Sequence, residues 1–177
     1  MALTINSTGT TFSGYQGGIL TSLGSKVATG STVNFSGFPS WTKKITVAYS
    51  AVQTTGTSGQ TNLYLGTASG IETTGYAGTG GFWQSAGNGQ VLNGSYSSGF
   101  FLDAYTTNTN VRHGLYTLIN LSGNTWVLGG FGATSEVVSL ATANGTKTLS
   151  GVLTQIQFGI YGGAGTFSTG NFVAYYE

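Results

Sequence analysis

The chain has 177 residues but only nine formal charges, five Lys+Arg against four Asp+Glu; that is 5% charged residues, where an ordinary soluble domain carries about 25%. Zero cysteine excludes disulfide scaffolds and thiolate metal sites, a net charge of +1 lacks the basic footprint of a nucleic-acid binder, and 39% hydrophobic residues are too many for a disordered chain. The 31 glycines keep no three-residue period, so the chain is not collagen-like, and its length suits one domain with a sizeable core.

Thr, Val, Tyr and Phe are common while Glu, Lys and Gln are sparse, which is a strand vocabulary, and apolar residues alternate rather than recur at helical spacing. The first alternation is Val33 and Phe35 within residues 31–36. The clearest follows at residues 43–52, where Ile45, Val47, Tyr49 and Ala51 fall on one face and Lys44, Thr46, Ala48 and Ser50 on the other. Leu63 and Leu65 alternate in residues 61–66, and Phe100 and Leu102 in residues 98–105. Residues 113–131 predict a hairpin around Ser122-Gly123-Asn124, with Leu115, Thr117, Ile119 and Leu121 on one face of the first strand. Trp126 and Leu128 share a face of the second.

Two further strands close the chain, with Ile156, Phe158 and Ile160 on one face in residues 152–161, and Phe172, Ala174 and Tyr176 in residues 169–176. The glycine-rich residues 162–165 are the expected turn between them. Residues 7–14, 54–60, 66–81 and 85–99 are Gly/Thr/Ser-rich and read as links, with no tandem repeat. Short strands between such turns predict an all-β, antiparallel β-sandwich or jelly roll.

Sites that carry chemistry are sparse. The lone histidine, His113, would need Asp103 to orient it and a serine nucleophile, and no G-x-S-x-G elbow nominates one. Glycoside hydrolysis needs two facing carboxyl groups. Glu72, Asp103 and Glu136 lie far apart in sequence and read as solvated charges at strand edges. No acidic loop of the calcium-binding type occurs, and no cofactor is expected. The glycines at 78, 80 and 81, and at 162, 163 and 165, lack the ending and context of a phosphate loop. Aromatic rings offer more. Phe82 and Trp83 sit in a glycine-rich loop, followed by Tyr96, Phe100, Phe101 and Tyr105. Such rings either fill the core or stack on sugars and protein partners; Phe82, Trp83, Tyr96 and Tyr105 are the candidate ligand or receptor contacts.

Pro39-Ser40-Trp41 followed by two lysines and an alternating strand, GNTWVLGG at residues 123–130, and a closing Thr166, Phe167, Gly170, Tyr176, Glu177 pattern together resemble a β-sandwich module of tailed bacteriophages. That module is found at the distal ends of tail fibres and tailspikes and in head-decoration proteins. The resembling segments cover roughly residues 33–76 and 115–177. The resemblance implies a virion structural protein, often a homotrimer, without enzymatic activity, and it transfers no catalytic residues.

MALTINSTGT has no basic, apolar pattern of a secretory signal, and no stretch approaches the ~20 apolar residues of a membrane span. Synthesis in a host cytoplasm, with no membrane insertion and no nucleic-acid partner, is the expectation. The first core strand begins by about residue 31, which leaves no room for a fibre shaft. The expected place is therefore the outer capsid surface, as a decoration (cement) protein bound to the major capsid protein. A receptor-binding tail tip recognising host cell-surface glycan and a free carbohydrate-binding module are the alternatives. Residues 1–30 are expected to be an arm or edge strand and residues 31–177 a single sandwich domain. Leu3, Ile5, Tyr175 and Tyr176 are the expected capsid or trimer contacts.

Overall fold

The alternation of branched and aromatic residues with Thr, Ser and Gly settles into strands throughout. The computed structural model describes residues 19–56, 59–84, 94–103, 110–135, 139–163 and 165–177. In chain order the strands are β1 (Thr21–Val27), β2 (Thr32–Ser36), β3 (Lys44–Thr54), β4 (Thr61–Thr67), β5 (Gly70–Glu72) and β6 (Tyr76–Gln84). After them come β7 (Gly94–Tyr96), β8 (Phe100–Phe101), β9 (Arg112–Ser122), β10 (Thr125–Thr134), β11 (Ser139–Thr148), β12 (Gln155–Ile160) and β13 (Phe167–Tyr176). One short 3-10 turn, Tyr161–Gly163, is the sole helical element among the described residues.

The strands form two antiparallel sheets, neither closed into a barrel. The eight-stranded sheet runs β1-β13-β3-β9-β10-β11-β6-β7; the five-stranded one runs β2-β12-β4-β5, with β8 also paired to β4. Their inner faces share one apolar cluster. Ile45, Val47, Tyr116, Leu118, Trp126, Leu128, Phe172 and Ala174 come from the larger sheet, and Val33, Phe35, Leu63, Leu65, Ile156 and Phe158 from the smaller. Phe158 stacks on Phe172 across the gap with ring centroids 4.2 Å apart.

The predicted alternations of residues 31–36, 61–66, 152–161 and 169–176 all turn their apolar set inward. The hairpin forms between β9 and β10, with Ser122 facing Thr125 and Gly123 at φ 52° in the turn. Residues 43–52 depart from simple alternation at one point. Ala51 has φ 55°, a bulge interrupts the pairing with β13 and β9, and Val52 takes the buried place expected of Ala51. Gly170 lies opposite the bulge at φ 96°, where a Cβ would stand 2.5 Å from the Ala51 carbonyl oxygen.

The supposed link at residues 66–81 is a correction, because it contains β5 and most of β6. Its glycines let neighbours approach: a Cβ on Gly80 would meet the Phe101 carbonyl at 2.8 Å, and one on Gly78 the Asn144 carbonyl at 2.8 Å. Phe82 and Trp83 thus lie in a strand, not a loop. Likewise β7 falls inside the supposed link 85–99 and β11 arises where no strand was read, while β1, the outermost strand of the larger sheet, lies within residues 1–30, where an arm or edge strand was expected. The glycine-rich turn after β12 carries the chain from the smaller sheet to the larger rather than closing a hairpin.

On the inner face of the larger sheet, Gly114, Gly130 and Gly132 make room for Tyr49 and Tyr116, which stack with centroids 6.2 Å apart. A Cβ on Gly130 would stand 2.6 Å from Tyr116 Cα, so Gly130→Ala overpacks the core and should lower stability by about 2 kcal/mol. Gly151→Ala, whose Cβ would meet only Thr67 at 3.7 Å, should be close to neutral. Urea midpoints of the two variants check this contrast.

Candidate functional site

The residues singled out for catalysis are held apart by strand parity. Arg112 points into the core and its neighbour His113 points out. His113 Nδ1 lies 3.2 Å from Ser50 Oγ, and its Nε2 lies 2.9 Å from Ser135 Oγ. Asp103, the expected orienter, is instead buried against Arg112 at 3.4 Å. Arg112 also donates to the Asn110 carbonyl at 2.9 Å. Tyr116 donates its hydroxyl proton to the Leu102 carbonyl. Burial, then the proximity of Tyr116 and Asp103, pushes the Tyr49 hydroxyl well above its ordinary range.

Glu72 is not a solvated edge charge either. Lys147, itself buried, lies 2.5 Å from its carboxylate, and the Ser150 amide and hydroxyl donate to it at 2.9 and 2.6 Å. The Lys147 ammonium also sits 5.5 Å from the Tyr76 ring centroid. The Tyr76 hydroxyl donates to the Glu72 carbonyl at 2.8 Å and accepts from the Leu65 amide at 2.7 Å. This network clamps β6 and β11 of one sheet to β4 and β5 of the other. Glu136 lies outside the described residues. Among the described residues no three His, Asp or Glu converge as a metal site.

The aromatic candidates divide between two places. Phe82 is buried in a small cluster with Phe101 and Ala141. Tyr96 stacks on Phe101 at 3.9 Å, and Tyr161 meets Phe101 edge-on at 4.9 Å. Tyr161 was missed because it sits alone before a glycine turn; only folding brings it to Tyr96. Trp83 projects the other way, onto the outer face of the larger sheet, opposite Leu140. Tyr105, Leu3 and Ile5 lie outside the described residues. Tyr176 packs inward against Phe38 and Trp41, at 5.8 and 5.7 Å, while Tyr175 faces outward.

The surface that stands out is that outer face. Leu115, Ile119, Leu121, Phe131, Leu140 and Trp83 are between 46% and 69% exposed on it. Leu115 pairs directly with Phe131, Leu140 with Trp83, and Ile119 with the half-buried Val127. The signal was present in residues 115–119, which are apolar at both parities: Tyr116 and Leu118 fill the core while Leu115 and Ile119 lie outside. A strand apolar on both faces is the pattern of one covered on both sides.

The outer face of the smaller sheet differs. Asn34, Gln157 and Tyr64 stand side by side on β2, β12 and β4, and a Cβ on Gly159 would lie 3.0 Å from the Tyr64 ring. A depression of about 40 Å³, bordered by Pro39, Lys43, Asn120 and Trp126, has room for a water or two. No family model matches the chain, and no curated protein or solved structure matches it.

Partial burial works to raise the Glu72 pKa, but the Lys147 and Ser150 hydrogen bonds outweigh it and hold the carboxyl below its usual value. Its stabilisation is therefore complete above about pH 4.3 and lost as the pH falls further. Glu72→Gln should cost about 2 kcal/mol at neutral pH, leaving Lys147 buried beside a neutral amide. Urea unfolding across the acid range should show variant and wild type converging as Glu72 protonates.

Proposed function

We propose that the chain is a structural module of a tailed-bacteriophage particle, a capsid decoration (cement) protein that binds the major capsid protein on the outer shell and has no enzymatic activity. Its two sheets are read as a β-sandwich of jelly-roll type, since the chain passes repeatedly from one sheet to the other. The working unit is a homotrimer. The observation that carries the proposal is the large, apolar and nearly charge-free outer face of the eight-stranded sheet, which suits packing rather than chemistry.

The segments that carry the phage resemblance are also neighbours in space. Trp41 packs on Tyr176, and the Lys43 and Lys44 amides donate to the Glu177 carbonyl at 2.9 Å. A trimer of such modules holds a shell by avidity: three modest contacts on one rigid body act at high effective concentration.

A second reading, a receptor-binding tail tip or carbohydrate-binding module, is favoured by the Asn34–Gln157–Tyr64 row and the Tyr96–Tyr161 pair. Amides and flat rings without charge suit neutral sugars. Copy number separates the two. Quantitative gels and electron microscopy of purified particles should find hundreds of copies on the capsid, retained when salt is raised. A few tens of copies at the tail, together with sugar binding lost in Tyr64→Ala or Tyr161→Ala, would favour the second reading. Release by moderate salt would contradict an apolar mode of attachment.

A further inference from the structure

We infer that the outer face of the eight-stranded sheet is the self-association surface of this protein, and that its occupant is the same face of another copy of the chain. A face set against its own copy is a two-fold contact, so it joins copies in pairs, stands apart from the contacts that would close the proposed homotrimer, and does not rest on that reading.

Area is the first argument. Six large side chains, each roughly half exposed, leave on the order of 600 Å² of apolar surface open. A monomer's largest patch is about 300–600 Å², and a standard interface covers about 800 Å² per partner. The flanking, half-buried Val127 and Val173 extend this face towards the size that a standard interface needs.

Relief is the second. Leu115 and Phe131 form one apolar ridge across β9 and β10, and Ile119 and Val127 form a parallel one. Between them runs a row of Thr117 and Gly129, where one position has no side chain at all. Rows on one face of a strand are about 7 Å apart, so a groove lies midway between two ridges. A face with alternating ridge and groove is complementary to a copy of itself shifted by one row.

Charge is the third. Among the described outward positions of β9, β10 and β11 there is no Asp, Glu, Lys or Arg, and His113 is engaged by Ser50 and Ser135. Lys44, which stands directly opposite Ile119 on β3, is paired with Glu177. Two such faces approach without repulsion, whereas a differently charged partner would find no group here to recognise.

The test is sedimentation of the full chain over a range of concentrations, beside Leu115→Thr/Phe131→Thr and Ile119→Thr/Leu140→Thr. Both pairs are exposed, and threonine keeps strand propensity, so the monomer should stay folded by circular dichroism. Wild type should assemble, and each double variant should dissociate at concentrations at least tenfold higher than wild type. Gln157→Ala, on the opposite sheet, should assemble normally. A monomeric wild type overturns the inference, as do folded double variants that assemble unchanged. A monomer that binds capsids through Phe131 also overturns it, by giving the face to the shell protein, yet leaves the decoration role standing.

Discussion

The buried cations among the described residues, Lys147 and Arg112, stand at the joins between the two sheets and take their carboxylates there. Lys147 reaches Glu72 from β11 to β5, and Arg112 reaches Asp103 from β9 to the segment after β8. Lys26 crosses from β1 to the Asn34 carbonyl on β2 at 2.6 Å, over the ring of Phe35. Lys44 ties the start of β3 to Glu177. A buried cation left alone is costly, so Lys147 and Arg112 are each held by a carboxylate, and those two pairs tie one sheet to the other. Little charge is left for the faces, whose character is set by Leu, Phe, Thr, Asn and Gln.

The two outer faces then diverge. The smaller sheet presents amides and Tyr64. The larger presents Leu115, Phe131, Ile119, Leu140 and Trp83 on a flat array of Thr and Gly. Most proteins hide such a row beneath a helix or a loop. Here no described segment lies over it. The proposed closing of this broad face on its own kind would suit a module that coats and clamps.

Strand parity made much of the core legible in the sequence. Val33 with Phe35, Ile45 with Val47, Ile156 with Phe158, and Phe172 with Ala174 are buried as their alternation requires. The alternation misled at Ala51, because a single-residue bulge shifts the face and leaves no mark in composition. β6 and β11 were hidden because the inward positions along their middles are the small residues Gly78, Gly80, Ala141 and Ala143, and at Gly78 and Gly80 a neighbouring backbone comes too close for a side chain. The ion pairs were not legible at all: Glu72 and Lys147 are 75 residues apart and meet only when the sheets do. For the candidate sites, Trp83 is exposed but belongs to the sheet face. Phe82 is core, and Tyr96 finds its partner in Tyr161, which no spacing pointed to.

The central claim is that cohesion outside the core comes from apolar burial and not from charge. Dilution calorimetry of the assembled protein, at several temperatures and at low and high salt, tests it most directly. Burial of Leu115, Phe131 and their neighbours predicts a clearly negative heat-capacity change on association, with an affinity that salt leaves unchanged or strengthens. An association that weakens as salt rises, with a heat-capacity change near zero, would contradict the account.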